Sequence, residues 1–201
     1  DIKTIGVVGA GTMGQGIAQI CAQAGYKTIL FDINAQVLQK AEATTIKNLD
    51  KGIERGKLTE QEKQTTLENL TFTGDTLQLI CDVIIEAIVE KLEIKQSIFR
   101  ELSDINTPDT ILASNTSSIP ITQIAAAVPN PERVVGMHFF NPAHIMKLVE
   151  VISGAATAPE IAETIKQLAE KLGKVAVMAK DSPGFIVNRV ARHFYVEGLK
   201  L

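Results

Sequence analysis

Residues 136–154 read GMHFFNPAHIMKLVEVISG, two apolar segments joined by an Asn-Pro turn, and they carry a histidine, His138, and a glutamate, Glu150. Imidazole exchanges a proton near neutral pH and commonly serves as a general acid or base. A carboxylate against its far ring nitrogen fixes the tautomer and stabilises the imidazolium. His138 falls near the C-terminal end of an expected strand, where open α/β sheets place their ligands. Glu150 falls on the next expected strand, and the turn at Asn141-Pro142 can bring the two together. A core histidine bonded to backbone and a glutamate at a sheet edge is the plainer alternative, and the stretch alone leaves both open. His144 and His193 lack a comparable partner and read as structural or exposed.

A second chemistry is written near the N-terminus. GVVGAGTMGQGIAQ spaces Gly9, Gly11 and Gly14 as G-x-G-x-x-G. Gly9 permits a tight strand-to-helix turn, Gly11 lets a pyrophosphate approach the backbone, and Gly14 lets the helix pack against the strand. The free N–H groups of the helix start then bind the phosphates. Asp32 ends the next apolar run, where a carboxylate bonds the adenosine ribose hydroxyls and repels a 2′-phosphate. This pattern predicts dinucleotide binding, with NAD favoured over NADP.

Other polar residues gather where strands should end. Glu86 and Glu90 follow DVII, with Lys95 further into the next helix, and Ser114, Asn115, Thr116, Ser117 and Ser118 follow TILA. Some must be helix caps and turn formers, but five polar residues exceed what one cap requires. Asn188 interrupts a helix rich in Ile, Val and Phe. Lys47, Lys51 and Arg55 share one helical face by their spacing of four. They form either a solvated stripe or a contact for a phosphate-bearing substrate.

Short apolar runs alternating with helical patterns must hold these groups, which is the signature of a parallel sheet wrapped by helices. Strands are expected at about 2–8, 27–32, 70–73, 82–87, 110–114, 134–140, 147–152 and 174–179. Helices are expected at roughly 13–24, 35–66, 91–104, 120–127 and 160–172, with another after DSPGF. Residues 35–68 exceed one crossover helix, and Gly52 and Gly56 break them into two, read as a projecting helical hairpin. The predicted fold class is α/β, a Rossmann-like, doubly wound, mostly parallel sheet.

Bulk numbers exclude several classes. Of 201 residues, 45% are hydrophobic and 21% charged, as in globular proteins. A formal net charge of −3 gives no footprint for nucleic acid. No apolar run is long enough to predict a membrane span. Cys21 and Cys81 lack metal-ligand spacing and read as reduced core residues, so a cytoplasmic location and no metal are expected.

Together the motifs resemble the NAD-dependent L-3-hydroxyacyl-CoA dehydrogenases, including the bacterial 3-hydroxybutyryl-CoA type. The matching runs are GVVGAGTMGQGIAQ, EAIVEKLEIKQSIF, LASNTSSIPIT, ERVVGMHFFNPAHIMKLVEV and DSPGFIVNR, which cover most of residues 3–190 in the family's order. The resemblance implies His138 as catalytic base and Glu150 as its partner, with Ser117 and Asn188 at the substrate. It implies that NAD is held by Gly9, Gly11, Thr12, Met13, Gly14 and Asp32, and beyond them by Ala87, Glu90, Lys95, Asn115, Ser117 and Asn141. Lys51, on the hairpin where the family's coenzyme A leans, is implied as a further substrate contact. The implied substrates are 3-hydroxyacyl-CoA and 3-oxoacyl-CoA. In the family an all-helical domain follows, forming the homodimer and closing the cleft. Residues 1–182 are therefore expected to be the NAD-binding domain, and 183–201 the start of that helical domain, apparently truncated. A dehydrogenase of a sugar acid could share these motifs. So could an NAD-binding domain without catalysis, although a sensor would need neither His138 and Glu150 nor Ser117 and Asn188.

Overall fold

The computed structural model describes residues 1–198. Its strands are β1 (Thr4–Val8), β2 (Lys27–Phe31), β3 (Leu70–Thr73), β4 (Val83–Glu86), β5 (Ile111–Ser114), β6 (Val134–Phe139), β7 (Leu148–Ser153) and β8 (Val175–Lys180). Its helices are α1 (Thr12–Gln23), α2 (Ala35–Glu54), α3 (Glu60–Glu68), α4 (Leu92–Ile105), α5 (Ile121–Ala125), α6 (Pro159–Lys171) and α7 (Val187–Gly198). The strands form one sheet in the order β3-β2-β1-β4-β5-β6-β7-β8. All neighbours run parallel except β6 and β7, which pair antiparallel across the Asn141-Pro142 turn. The order reverses between β1 and β4, and ligands of open α/β sheets bind outside the strand ends at such a switch point.

Burial on both faces explains the nearly continuous apolar reading of the central strands. Ile5 and Val7 of β1 belong to one core with Ile17 and Cys21 of α1 and Ile165 and Leu168 of α6. Val8 and Ile84 face the other way, onto Phe99, Leu102, Ile121 and Ile124 of α4 and α5. Helix α6 shows the local logic. Pro159 opens it, Ile161, Ile165, Leu168 and Leu172 are buried, and Gly173 at φ 74° ends it.

The long segment after β2 folds as two helices. Asn34 caps α2 by accepting from the N–H groups of Gln36 and Val37, and Thr59 with Glu62 makes a capping box on α3. Gly56, at φ 65°, makes the break between them. Helix α2 buries Ala41, Thr45 and Leu49 and touches α1, so the hairpin is seated on the domain along one face. Among the described residues no helix is long and apolar enough to cross a membrane.

Candidate active site

The turn after β1 shows why glycine recurs there. Gly9 takes φ 98°, and a Cβ on Gly14 would collide with the Gly9 carbonyl oxygen, so strand and helix touch at that point. At Gly11 a Cβ would meet nothing within 4 Å, because the space before the helix start is open. No side chain caps α1 there and its first turn carries no acidic residue, leaving its N–H groups and positive dipole end for an anion. A cleft of about 720 Å³ opens from this turn, lined by Gly9, Gly11, Thr12, Met13, Asp32 and Ala87 among others. Ile33, Ile88, Val89, Ile94 and Ile98 give it apolar walls. Asp32 is half-buried, its Oδ2 accepting from the Ala10 N–H at 2.8 Å and its Oδ1 from the Asn34 N–H at 2.9 Å. An open phosphate cradle, a fixed carboxylate beyond it and apolar walls fit a dinucleotide.

Next to the switch point, β4 and β5 end in a polar network. Glu86 is fully buried and pairs in register with Ser114. Its Oε1 accepts from the Ile88 N–H at 2.7 Å and the Lys95 ammonium at 2.6 Å, and its Oε2 from the Ser114 hydroxyl at 2.6 Å. Lys95, 1% exposed, also donates to Glu90 Oε2 at 3.2 Å. Glu90 Oε1 faces the Thr116 hydroxyl at 2.5 Å and the N–H groups of Ser117 and Ser118 at 2.9 and 3.2 Å. Burial pushes the Glu90 carboxyl up. The Thr116 hydroxyl, the Lys95 charge and the Ser117 N–H outweigh burial and hold it below its ordinary value. The Ser117 hydroxyl stands at 3.4 Å from the same oxygen, the longest of these contacts and the easiest to redirect. Asn115 faces elsewhere, accepting from the Phe139 N–H at 2.8 Å and so tying the loop to β6.

His138 and Glu150 lie directly opposite each other on the β6–β7 ladder. His138 Nδ1 is 2.8 Å from Glu150 Oε2. Glu150 is 1% exposed, and its other oxygen accepts from the N–H groups of Ile186 and Val187, at 2.8 and 2.9 Å, at the start of α7. One carboxylate thus holds the ring and caps the helix that carries Asn188. Phe140 and Phe185 pack on the imidazole with ring centroids 4.5 and 5.9 Å away. Nε2 has no hydrogen-bond partner among the described residues, which leaves it to act on a ligand. Asn188 Nδ2 donates to the Ser117 carbonyl oxygen at 3.1 Å, joining α7 to the β5 loop.

Three groups of candidates therefore converge at the strand ends: the glycine turn with Asp32, the Glu90–Lys95–Ser117 network, and His138 with Glu150 and Asn188. Asn141 is exposed on the turn after β6. That turn is held by Lys174, a buried lysine that donates to the Ala143 and Met146 carbonyls at 2.5 and 2.9 Å. His144 is half-buried, and its pKa is lowered by burial and by the Lys174 charge. His193 is exposed on α7. Lys47, Lys51 and Arg55 are exposed along α2. The motifs assign no role to Glu86 or Lys174. Their signal was a charge inside an otherwise apolar segment, VIIE and GKVAV.

Residues 4–182 match the family model described as "3-hydroxyacyl-CoA dehydrogenase, NAD binding domain". The chain belongs to this family. It is 47% identical over 198 residues to the 3-hydroxyadipyl-CoA dehydrogenase of Escherichia coli K12, covering 98% of this chain and 42% of that one. The probable 3-hydroxybutyryl-CoA dehydrogenase of Bacillus subtilis 168 is 47% identical over 192 residues, with 94% and 67% covered. The crystal structure of 3-hydroxybutyryl-CoA dehydrogenase from Escherichia coli K12 superposes with a TM-score of 0.96 at 47% identity, again over 98% of this chain and 42% of that one. The described fold is therefore that of the dehydrogenase family's NAD binding domain, and the chain spans less than half the length of the Escherichia coli relative.

Proposed function

We propose that the full-length protein interconverts (S)-3-hydroxyacyl-CoA and 3-oxoacyl-CoA with NAD⁺ and NADH. The observation that carries this reading is the His138–Glu150 pair, 2.8 Å apart, with Nε2 unpartnered among the described residues. Gly9, Gly11, Thr12, Met13, Gly14 and Asp32 hold the adenosine and phosphate half of the cofactor, and Ala87, Glu90, Lys95, Asn115, Ser117 and Asn141 surround the other half. NAD⁺, when bound, supplies the acceptor for the hydride that leaves C3 of the substrate. His138 Nε2 removes the C3 hydroxyl proton, and in the reverse direction the imidazolium returns it to the ketone oxygen. Glu150 holds Nδ1–H and balances the charge that forms. Ser117 and Asn188 position the reacting oxygen or the thioester carbonyl, and Lys51 meets the coenzyme A phosphates on the exposed stripe of α2.

Residues 1–182 make the NAD-binding domain in this reading, and 183–201 begin a helical domain through which the protein forms a homodimer. The extra length of the relatives supports that division. Two buried free cysteines fit a cytoplasmic location. The test is turnover of 3-oxoacyl-CoA with NADH by full-length protein, wild type against His138→Gln. Rates should fall at least ~100-fold, the low end for lost general acid–base catalysis, with NADH affinity unchanged. Survival of turnover in the variant removes the mechanism. Equal use of free 3-oxo acids and CoA thioesters removes the substrate assignment.

A further inference from the structure

None of the assigned roles uses Glu86, a fully buried carboxylate at the centre of the network between β4, β5 and α4. Replacing a buried ion pair with apolar side chains of similar volume is often neutral or stabilising. Stability alone therefore gives little reason for the Glu86–Lys95 pair, and the reason must lie in what the pair holds. Lys95 sits between two carboxylates, 2.6 Å from Glu86 on the buried side and 3.2 Å from Glu90 on the open side. The Glu90 side chain is 36% exposed, whereas those of Lys95 and Glu86 are at 1% and 0%. A lysine has four rotatable bonds, so without an inner anchor its ammonium would follow Glu90 outward to water. Anchored by Glu86, it draws Glu90 inward instead. Glu90 in turn receives the Thr116 hydroxyl and the N–H groups of Ser117 and Ser118 on a single oxygen.

We propose that Glu86 is a positioning residue for catalysis: through Lys95 and Glu90 it fixes the Thr116–Ser118 turn so that the Ser117 hydroxyl meets the substrate. This rests on the reading of Ser117 as a substrate contact. Ser114 takes part from the same register position, holding the second Glu86 oxygen so that the carboxylate cannot rotate away from Lys95. The chain of contacts crosses from the sheet interior to the reaction face in three steps, each an ionic or charge-assisted bond. Such bonds are stronger than neutral ones.

The experiment is a double-mutant cycle in the full-length protein, reducing a 3-oxoacyl-CoA with NADH. Glu86→Gln preserves shape and removes the charge. Its kcat/KM should fall about tenfold, while NADH affinity, read by fluorescence titration, should fall by less, because the contacts of the glycine turn and Asp32 with the adenosine and phosphate half stay in place. In a Ser117→Ala background the same change should have little further effect, since residues acting as a unit are not additive. Full additivity, or a Glu86→Gln enzyme that loses thermal stability but keeps wild-type kcat/KM, overturns the proposal. Should Glu86→Gln not fold, Glu86→Met with Lys95→Met serves, because an apolar pair can restore stability. A folded double variant with wild-type kcat/KM also overturns it. Absence of turnover in the wild type would instead refute the dehydrogenase reading, so the two failures are distinct.

Discussion

Glu90 gathers more donors on one oxygen than lone pairs can hold, and this gives it a signature in pH. Its folded pKa lies below the ordinary 4.5, because the Thr116, Lys95 and Ser117 contacts outweigh burial. A carboxylate depressed on folding contributes stability that is complete above its unfolded pKa and is lost as pH falls through the folded value. The urea midpoint of the wild type should therefore exceed that of Glu90→Gln at neutral pH, and the gap should close on acidification below 4.5. A gap that persists at the acid end contradicts the assignment. At this scale the sequence was uneven. His138 and Glu150 stood out by type on two apolar strands joined by the Asn141-Pro142 turn, but a core histidine stayed equally open until the resemblance weighed in. The antiparallel ladder that sets the two opposite each other comes from the fold. Glu86 could not be ranked above its polar neighbours, since nothing in DVIIEAIVE says that its carboxylate turns inward onto Lys95. That depends on the approach of α4, a tertiary fact.

Elements bring these residues together, and the contact of α1 with β1 is the most demanding. Gly14 and Gly11 are both helix-start glycines, yet the structure gives them opposite duties. Gly14 has no room for a methyl group, while Gly11 faces open space with φ −66°, a value any residue adopts. Gly14→Ala should force helix and strand apart and destabilise the domain by at least ~1–3 kcal/mol, as overpacking does. Gly11→Ala should leave stability within about 0.5 kcal/mol, as for a surface change, but place a methyl group in the phosphate cradle and weaken NADH binding. Urea unfolding and NADH titration on both variants separate the two effects. Equal loss of stability would show that the cradle is not open. Strands and helices were legible because their apolar periods were clean, as with the stripe of α6 and the buried runs of β1 and β4. Boundaries were less so. Residue 82 reads as strand, but the Asp82 carboxylate accepts from the Lys3 and Thr4 N–H groups at 2.7 and 2.9 Å, and β4 begins after it.

At the scale of the whole molecule, one sheet separates two apolar layers, and each contains one cysteine. Cys21 on α1 lies in the layer shared with α6, and Cys81, just before β4, lies in the layer under α4. Both are free and buried. Burial pushes the Cys21 thiol up to about 12, although the Lys174 charge pulls it down, and burial with the nearby Asp82 charge pushes Cys81 up to about 12. The thiolate is the reactive form, so neither should react with an aromatic disulfide reagent at neutral pH while the fold holds. Each becomes reactive only when its own layer opens. Because β1 and β4 carry side chains into both layers, neither layer can lose its packing and leave the sheet intact. The two thiols should therefore become reactive together, with one urea midpoint that matches the loss of helical circular dichroism. Mass spectrometry of the labelled peptides can follow each cysteine separately. Two separated midpoints would mean that the layers unfold independently, and the sheet would then be a boundary between two units rather than the shared centre of one.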